Sequence, residues 1–287
     1  MFDNYTVLIE NKINQVLSDH GTDYDELLKA MHYSASAGGK RIRPKLLMEF
    51  MRISGGNPEN ALNFAVALEM IHTYSLIHDD LPCMDNDDMR RGKPSCHKAF
   101  GEATALLAGD ALLTESFGLA AKTENVPADR VVKALAQLSA CAGVNGMIGG
   151  QVLDLKYENS KAPLDIVCEL YRLKTGALLK AAATIGCILA GADEIKIDKA
   201  CQIAEKIGLS FQIRDDILDI IGDEKVLGKP IGSDCKQNKS TYVSLVGIDK
   251  AQNDVISLTN EAVSLLSDFN DADELKLFAE SMITRLY

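Results

Sequence analysis

No two cysteines stand in the CxxC spacing of a zinc or redox motif, and the seven present (Cys83, Cys96, Cys141, Cys168, Cys187, Cys201 and Cys235) are odd in number. A disulfide framework or structural zinc site is therefore not expected, and a reducing cytoplasm suits the thiols. Prolines are few, seven in 287 residues, and several sit where helices should begin: Asn57-Pro58, Val126-Pro127 and Ala162-Pro163. Strand-like alternation is scarce, and no internal repeat of fixed period stands out. The most apolar run, Ala177 to Ala192, is interrupted by Lys180 and is too short to span a bilayer, so no stable membrane insertion is expected. The opening MFDNYTVLIENK lacks a basic region followed by an apolar one, which argues against a signal peptide. Positive charge is in deficit: 30 Lys and Arg against 41 Asp and Glu leave a net charge of −11. That excludes nucleic acid as an expected partner. Phosphorylated ligands stay open, because clustered carboxylates can hold metal ions that in turn hold phosphates.

What is abundant is helix-forming sequence. Hydrophobic residues make up 47% of the chain. Stretches 101–122, 128–145 and 164–190 are rich in Ala, Leu and Glu with apolar residues recurring at the helical period. They predict an all-α single domain over 1–287, a bundle of ten or more helices. Residues 249–287 predict two terminal helices. Two polar segments carrying Gly and Pro, 85–98 and 222–240, read as functional loops, the second long enough for an active-site lid.

Two acidic sets stand out. Asp215, Asp216 and Asp219 lie at i, i+1 and i+4, within one broad helix face, with Gln212 a turn earlier. Carboxylates this close raise one another's pKa unless a cation intervenes. Oxygen-only ligands suit a hard ion such as Mg²⁺, usually held by one or two carboxylates plus phosphate oxygens. In the first set Asp79 and Asp80 end a strongly apolar helix, LEMIHTYSLIH, and Asp85 follows six residues after Asp79. His72 lies two turns before Asp79 on nearly the same face, and Arg90 and Arg91 follow. Carboxylates that bind metal beside paired guanidinium forks make a diphosphate site. A third element, GGKRIRP at 38–44, gathers Lys40, Arg41 and Arg43 after two glycines. Pro44 is expected to start a helix there, and positive charge at a helix start calls for a compensating anion.

These segments, in this order, resemble the trans-isoprenyl diphosphate synthases, and among them the bacterial farnesyl type. The resemblance runs from about residue 30 to 245 through GGKRIRP, HTYSLIHDDLPCMDNDDMRRGKPSCHKAFGE, GGQVLDL, YRLKTGALL, FQIRDDILD and LGKPIGSD with KQNKSTYVSL. It implies helices around a deep central cavity, and a homodimer. It implies that Asp79, Asp80, Asp85, Asp215, Asp216 and Asp219 bind about three Mg²⁺ that clamp an allylic diphosphate. Lys40, Arg43, His72 and Arg91 would then hold isopentenyl diphosphate, and Arg90, Lys174 and Lys229 the allylic diphosphate. Thr175 and Gln212 would line the reacting carbons, with Gln151 and Asp154 supporting the metal site from behind. Tyr74, five residues before Asp79, and Ser75 would lie beneath the aspartates, Tyr74 as the floor that sets a farnesyl-length product. The nearest alternative is a geranylgeranyl diphosphate synthase of the same family. A more remote one, a metal phosphohydrolase of HD type, is suggested by His72 and the His78-Asp79 pair but lacks further spaced ligands. A terpene cyclase would leave Lys40, Arg43 and Arg91 without purpose, and a non-catalytic subunit should have lost its carboxylates. His78 and His97 are read as structural, and Arg285 as a residue that could reach the pocket.

Overall fold

The structure, a computed structural model, describes residues 3–18, 23–158, 160–221 and 240–284. The expectations placed on Lys229, Arg285 and segment 222–239 lie outside the described residues. Among these there are fourteen α-helices and one two-stranded hairpin, in keeping with the all-α expectation. Contacts group the chain into two compact units, 2–136 with 188–191, and 137–187 with 192–287.

The first unit holds α1 (Asp3–Val16), α2 (Asp25–Ala35), α3 (Ile42–Ile53) and, after a 3₁₀ turn, α4 (Leu62–Asp79). The hairpin β1 (Met89–Arg90) and β2 (Lys93–Pro94), α5 (Cys96–Phe100) and α6 (Glu102–Ala121) follow. Helix α4 is apolar all round because it is the unit's central helix: Phe64, Val66, Leu68 and Ile71 are wholly buried. Each such side chain contributes about 1.5–3 kcal/mol of burial. Helix α6 packs against α4 at Gly109, where a methyl group would meet His78 Nε2 at 2.0 Å. His78 also bonds the Leu106 carbonyl at 3.0 Å, which gives the expected structural role a concrete form. Asn57 caps the 3₁₀ turn Pro58–Ala61 by accepting from the Glu59 N–H at 3.1 Å.

The helix expected to begin at Pro44 begins at Ile42, with Arg41 as its cap in the left-handed conformation. Segment 85–98, read as a functional loop, contains the hairpin. Its turn residues Arg91 (φ 53°) and Gly92 (φ 76°) both have positive φ, the two-residue geometry that suits strand twist. Tyr33 anchors it by donating to the Pro94 carbonyl at 2.9 Å.

The second unit holds the C-terminal part of α7 (Ala128–Ala142) and most of α10 (Ala177–Ala190). It also holds α8 (Met147–Tyr157), α9 (Leu164–Tyr171), a π-helical turn (Arg172–Gly176) and α11 (Glu194–Ile221). Helices α12 (Tyr242–Val246), α13 (Ile248–Leu266) and α14 (Asp273–Thr284) complete it, the last two being the expected terminal pair. Its core includes Val167, Ile213, Ile217, Val243 and Val255. By length and composition alone, helical stretches 128–157 and 164–190 are long and apolar enough to cross a bilayer, and both are longer than the run 177–192. The second of them is mostly buried inside the protein, as a core helix is.

Candidate functional site

In the first unit, the C-terminal end of α4 and the turn after it build the first acidic set. The Asp85 N–H donates to the Asp79 carbonyl at 2.9 Å, and the Met84 and Asn86 N–H groups donate to the Leu81 carbonyl. This turn fixes Asp85 close to Asp79, with Asp79 half-buried and Asp85 exposed. Asp80 points inward instead, 2% exposed, and its carboxylate takes the Arg90 guanidinium in a forked pair with Nε at 2.9 and 3.2 Å. Loss of solvent pushes the Asp80 carboxyl up, while Arg90 pulls it back. Arg90 also reaches Asp87 at 3.2 Å, so the hairpin strand that carries Arg90 is stapled to both acids.

The basic run at 40–43 is sorted by the fold. Lys40 is exposed. Arg41 is buried and structural: it donates to Glu10 and Glu69, each at 2.7 Å, and to the Ala35 carbonyl at 2.6 Å. The anion expected opposite this helix start is thus supplied, for Arg41, by the protein's own glutamates. Arg43 differs, because its Nε is buried with no hydrogen-bond partner among the described residues. Desolvation, then the nearby Arg91, holds the Arg43 guanidinium below its ordinary value, with Glu69 opposing. Arg91 donates to the Gly38 carbonyl. Gly39, at φ 124°, leaves it room, since a methyl there would lie 2.9 Å from the guanidinium carbon. Desolvation, then Arg43 and Arg91, holds His72 well below its ordinary value, so the ring is neutral near pH 7. Arg43, His72 and Arg91 therefore form a cation-rich cluster in want of an anion. One turn before the aspartates, Tyr74 is 5% exposed, its hydroxyl buried and unpartnered among the described residues. Ser75 is half-buried and bonds the His72 carbonyl at 2.8 Å.

In the second unit, Lys174 and Thr175 sit in the π-helical turn, a rare geometry concentrated at functional positions. Gly150 of α8 makes the turn's packing possible: a methyl there would lie 2.2 Å from the Lys174 nitrogen. Lys174 donates to Asp154 at 2.5 Å, which ties Asp154 to a cation. Gly208 lets α11 approach Gly176, a methyl at 208 lying 3.1 Å from the Gly176 Cα. That contact stands one helical turn before Gln212, which is half-buried. Of the second acidic set Asp215 is half-buried, whereas Asp216 and Asp219 are 6% and 3% exposed. Asp216 accepts from the Tyr171 hydroxyl and the Tyr242 N–H, both at 2.8 Å. Among the described residues no three His, Cys, Asp or Glu side chains gather around one point. Mg²⁺ does not require that, since one or two carboxylates and phosphate oxygens suffice, and each all-oxygen set, 79–85 in the first unit and 215–219 in the second, is of a chemistry that fits such an ion.

Comparison with known proteins bears on the whole chain. The family model for polyprenyl synthetase matches residues 24–282. The chain belongs to the polyprenyl synthetase family. Among its relatives, a farnesyl diphosphate synthase of Bacillus subtilis is 45% identical over 260 residues, covering 90% of this chain and 88% of the relative. A geranylgeranyl diphosphate synthase of Cyanophora paradoxa is 44% identical over 281 residues, covering 97% and 93%. The solved structure of a geranylgeranyl pyrophosphate synthetase from Pyrococcus horikoshii is similar, with a TM-score of 0.92 and 31% identity over 99% of this chain and 97% of that one. Within this member of the polyprenyl synthetase family, three features escaped the sequence reading: the Arg41–Glu69–Glu10 network, the π-helical turn and the Asp216–Tyr171 bond. The nearest sequence signals were the apolar setting of Glu69 in α4 and the tyrosine three residues before Lys174.

Proposed function

We propose that the chain is a trans-prenyltransferase of farnesyl diphosphate synthase type. It condenses isopentenyl diphosphate with dimethylallyl and then geranyl diphosphate, giving (2E,6E)-farnesyl diphosphate and releasing diphosphate. The observation that carries this reading is the Arg43–His72–Arg91 cluster, with a buried guanidinium nitrogen lacking a partner among the described residues, on the same unit as Asp79 and Asp85. Such a cluster binds a multiply charged anion, and a diphosphate matches the guanidinium forks.

Asp79, Asp80 and Asp85, with Asp215 and Asp219, are the residues that would hold about three Mg²⁺, while Asp216, grouped with them by the resemblance, already accepts from Tyr171 and the Tyr242 N–H. The metal, when bound, supplies neutralisation of charge on the departing diphosphate. The chain's own residues do the rest. Lys174, Arg90 and Lys229 bind the allylic diphosphate and favour breaking of the allylic C–O bond. Lys40, Arg43, His72 and Arg91 hold isopentenyl diphosphate so that its alkene attacks the allylic C1, forming the new C–C bond. The released diphosphate accepts the proton lost from C2. Thr175 and Gln212 line the reacting carbons, and apolar surroundings keep water from trapping the cation. Tyr74 is the floor that stops growth at fifteen carbons. The chain acts as one catalytic domain over 1–287, as a homodimer in the cytoplasm, without membrane insertion; an odd count of seven cysteines with no CxxC pair suits that compartment.

The test is incubation with Mg²⁺, isopentenyl diphosphate and dimethylallyl or geranyl diphosphate, followed by product sizing. A C15 product is expected. A C20 product would support the geranylgeranyl reading, favoured by the relative at 44% identity. No incorporation of isopentenyl diphosphate would overturn both.

A further inference from the structure

Three segments of the second unit meet at one carboxylate oxygen. Asp216 Oδ2, on α11, accepts from the Tyr171 hydroxyl at 2.8 Å and from the Tyr242 backbone N–H at 2.8 Å. All three residues are buried, 6%, 7% and 8% exposed. Tyr171 ends α9 and directly precedes the π-helical turn with Lys174 and Thr175. Tyr242 opens α12, the first helix after segment 222–239. The chain's return at 240–242 is fixed by more bonds. The Ala162 N–H donates to Ser240 Oγ at 3.0 Å. Thr241 caps α12 by accepting from the Ser244 N–H at 3.2 Å, and the Tyr242 hydroxyl donates to Asp254 at 2.7 Å. Ile213, Ile217, Val243 and Val255 surround the junction.

We propose that Asp216 is a positioning residue for the reaction read above, acting through Tyr171 and Tyr242 rather than as a metal ligand. Oδ2 already accepts two hydrogen bonds from buried donors, and turning it toward an ion would take the acceptor from both. Bonds to a carboxylate are stronger than neutral ones, so the junction locks three things in register: Asp215, the turn carrying Lys174, and the start of α12. The inference rests on the proposed function for its catalytic half only.

The test compares Asp216→Asn, Asp216→Ala, Tyr171→Phe and Asp215→Asn in the full chain. Without metal or substrate, thermal melting and hydrogen exchange of residues 240–246 and 171–176 are measured. Then the Mg²⁺ concentration for half-maximal condensation is read, together with kcat and KM. Asp216→Ala should lower Tm by about 3 °C or more. It should also raise exchange in both segments about tenfold. Tyr171→Phe should reproduce part of this loss. Asp216→Asn keeps an oxygen that can accept both bonds, so it should rescue most of the protection and leave the Mg²⁺ midpoint within about threefold of the parent. Asp215→Asn should do the reverse, raising the midpoint about tenfold or more with exchange unchanged. An Asp216→Asn variant that is protected like the parent but needs Mg²⁺ as Asp215→Asn does would make Asp216 a ligand and overturn the proposal. An Asp216→Ala variant with parental exchange would also overturn it. If the parent chain condenses nothing, the proposed function fails, while the metal-free measurements still decide whether the junction exists.

Discussion

Replacing Gly150 by alanine tests whether α8 sets the position of the turn that carries Lys174. The added methyl would lie 2.2 Å from the Lys174 nitrogen, 2.6 Å from its Cα and 2.8 Å from the Leu173 carbonyl carbon. All three are backbone atoms, so no side chain can swing aside; α8 and the turn must separate by about 1 Å to restore ordinary contact. Overpacking of this kind costs about 1–3 kcal/mol. At about 2–4 °C per kcal/mol, Tm should fall by roughly 2–12 °C. The same displacement draws Lys174 away from Asp154, now 2.5 Å distant. Where Lys174 holds the allylic diphosphate, misplacement by about 1 Å can cost about a hundredfold in kcat. The KM for isopentenyl diphosphate should move little, since Arg43, His72 and Arg91 belong to the other compact unit. Gly118→Ala is the control: in α6 a methyl there meets nothing nearer than Glu115 Oε2 at 4.0 Å. It should be neutral, or stabilising by about 0.5–1 kcal/mol through helix propensity. Scanning calorimetry and steady-state kinetics with geranyl diphosphate give both readouts. A Gly150→Ala protein with the parent's Tm, and kcat within about twofold, would refute the positioning argument.

Tyr74→Ala should lengthen the product beyond fifteen carbons by chromatography, whereas Tyr74→Phe should keep both product and stability, because the hydroxyl has no partner among the described residues to lose; an unchanged Ala product removes Tyr74 as the floor. Arg41→Met should cost about 3–5 kcal/mol in urea unfolding, because it strands the buried Glu69 carboxylate, and Glu69→Leu in the same chain should recover much of the loss. A single Arg41→Met of parental stability would reject the network. His72 has a native pKa held well below the 6.5 of the unfolded chain. Protons thus bind the unfolded state first, so stability is present above 6.5 and declines as pH falls below it. His72→Gln should flatten Tm against pH between about 7 and 5, and a slope equal to the parent's would show that His72 does not carry it.

Helix content was legible because the apolar period is strong and prolines mark starts, although α7 and α9 begin one residue past Pro127 and Pro163. Both acidic sets were legible as carboxylates too dense for a solvated surface. What was not legible depends on distant partners. Lys40, Arg41 and Arg43 are equivalent as a string; Arg41 turns inward because Glu10 and Glu69, 31 and 28 residues away, wait there. The π-helical turn is invisible in YRLKTGALL, whose periodicity is ordinary; its packing partner, Gly150, lies on α8, more than twenty residues earlier.

The doubled aspartates gain a physical reading from this. Neighbouring residues on a helix point about 100° apart, so both members of an Asp-Asp pair cannot face one ligand equally. In the first unit Asp80 turns to Arg90, while Asp79 is tied through its carbonyl to Asp85. In the second, Asp216 turns to Tyr171 and the Tyr242 N–H while Asp215 stays half-buried. A carboxylate that already holds protein donors has less to offer a cation, but it restrains the backbone of its neighbour, so that the neighbour loses less conformational freedom when it binds. The pattern makes an ordering for substitutions: Asp79→Asn and Asp215→Asn should weaken Mg²⁺ activation with little change in Tm, whereas Asp80→Ala and Asp216→Ala should lower Tm before metal is added. Melting curves of the four metal-free variants decide it, and equal Tm across all four would show that the inward-turned members hold nothing in place.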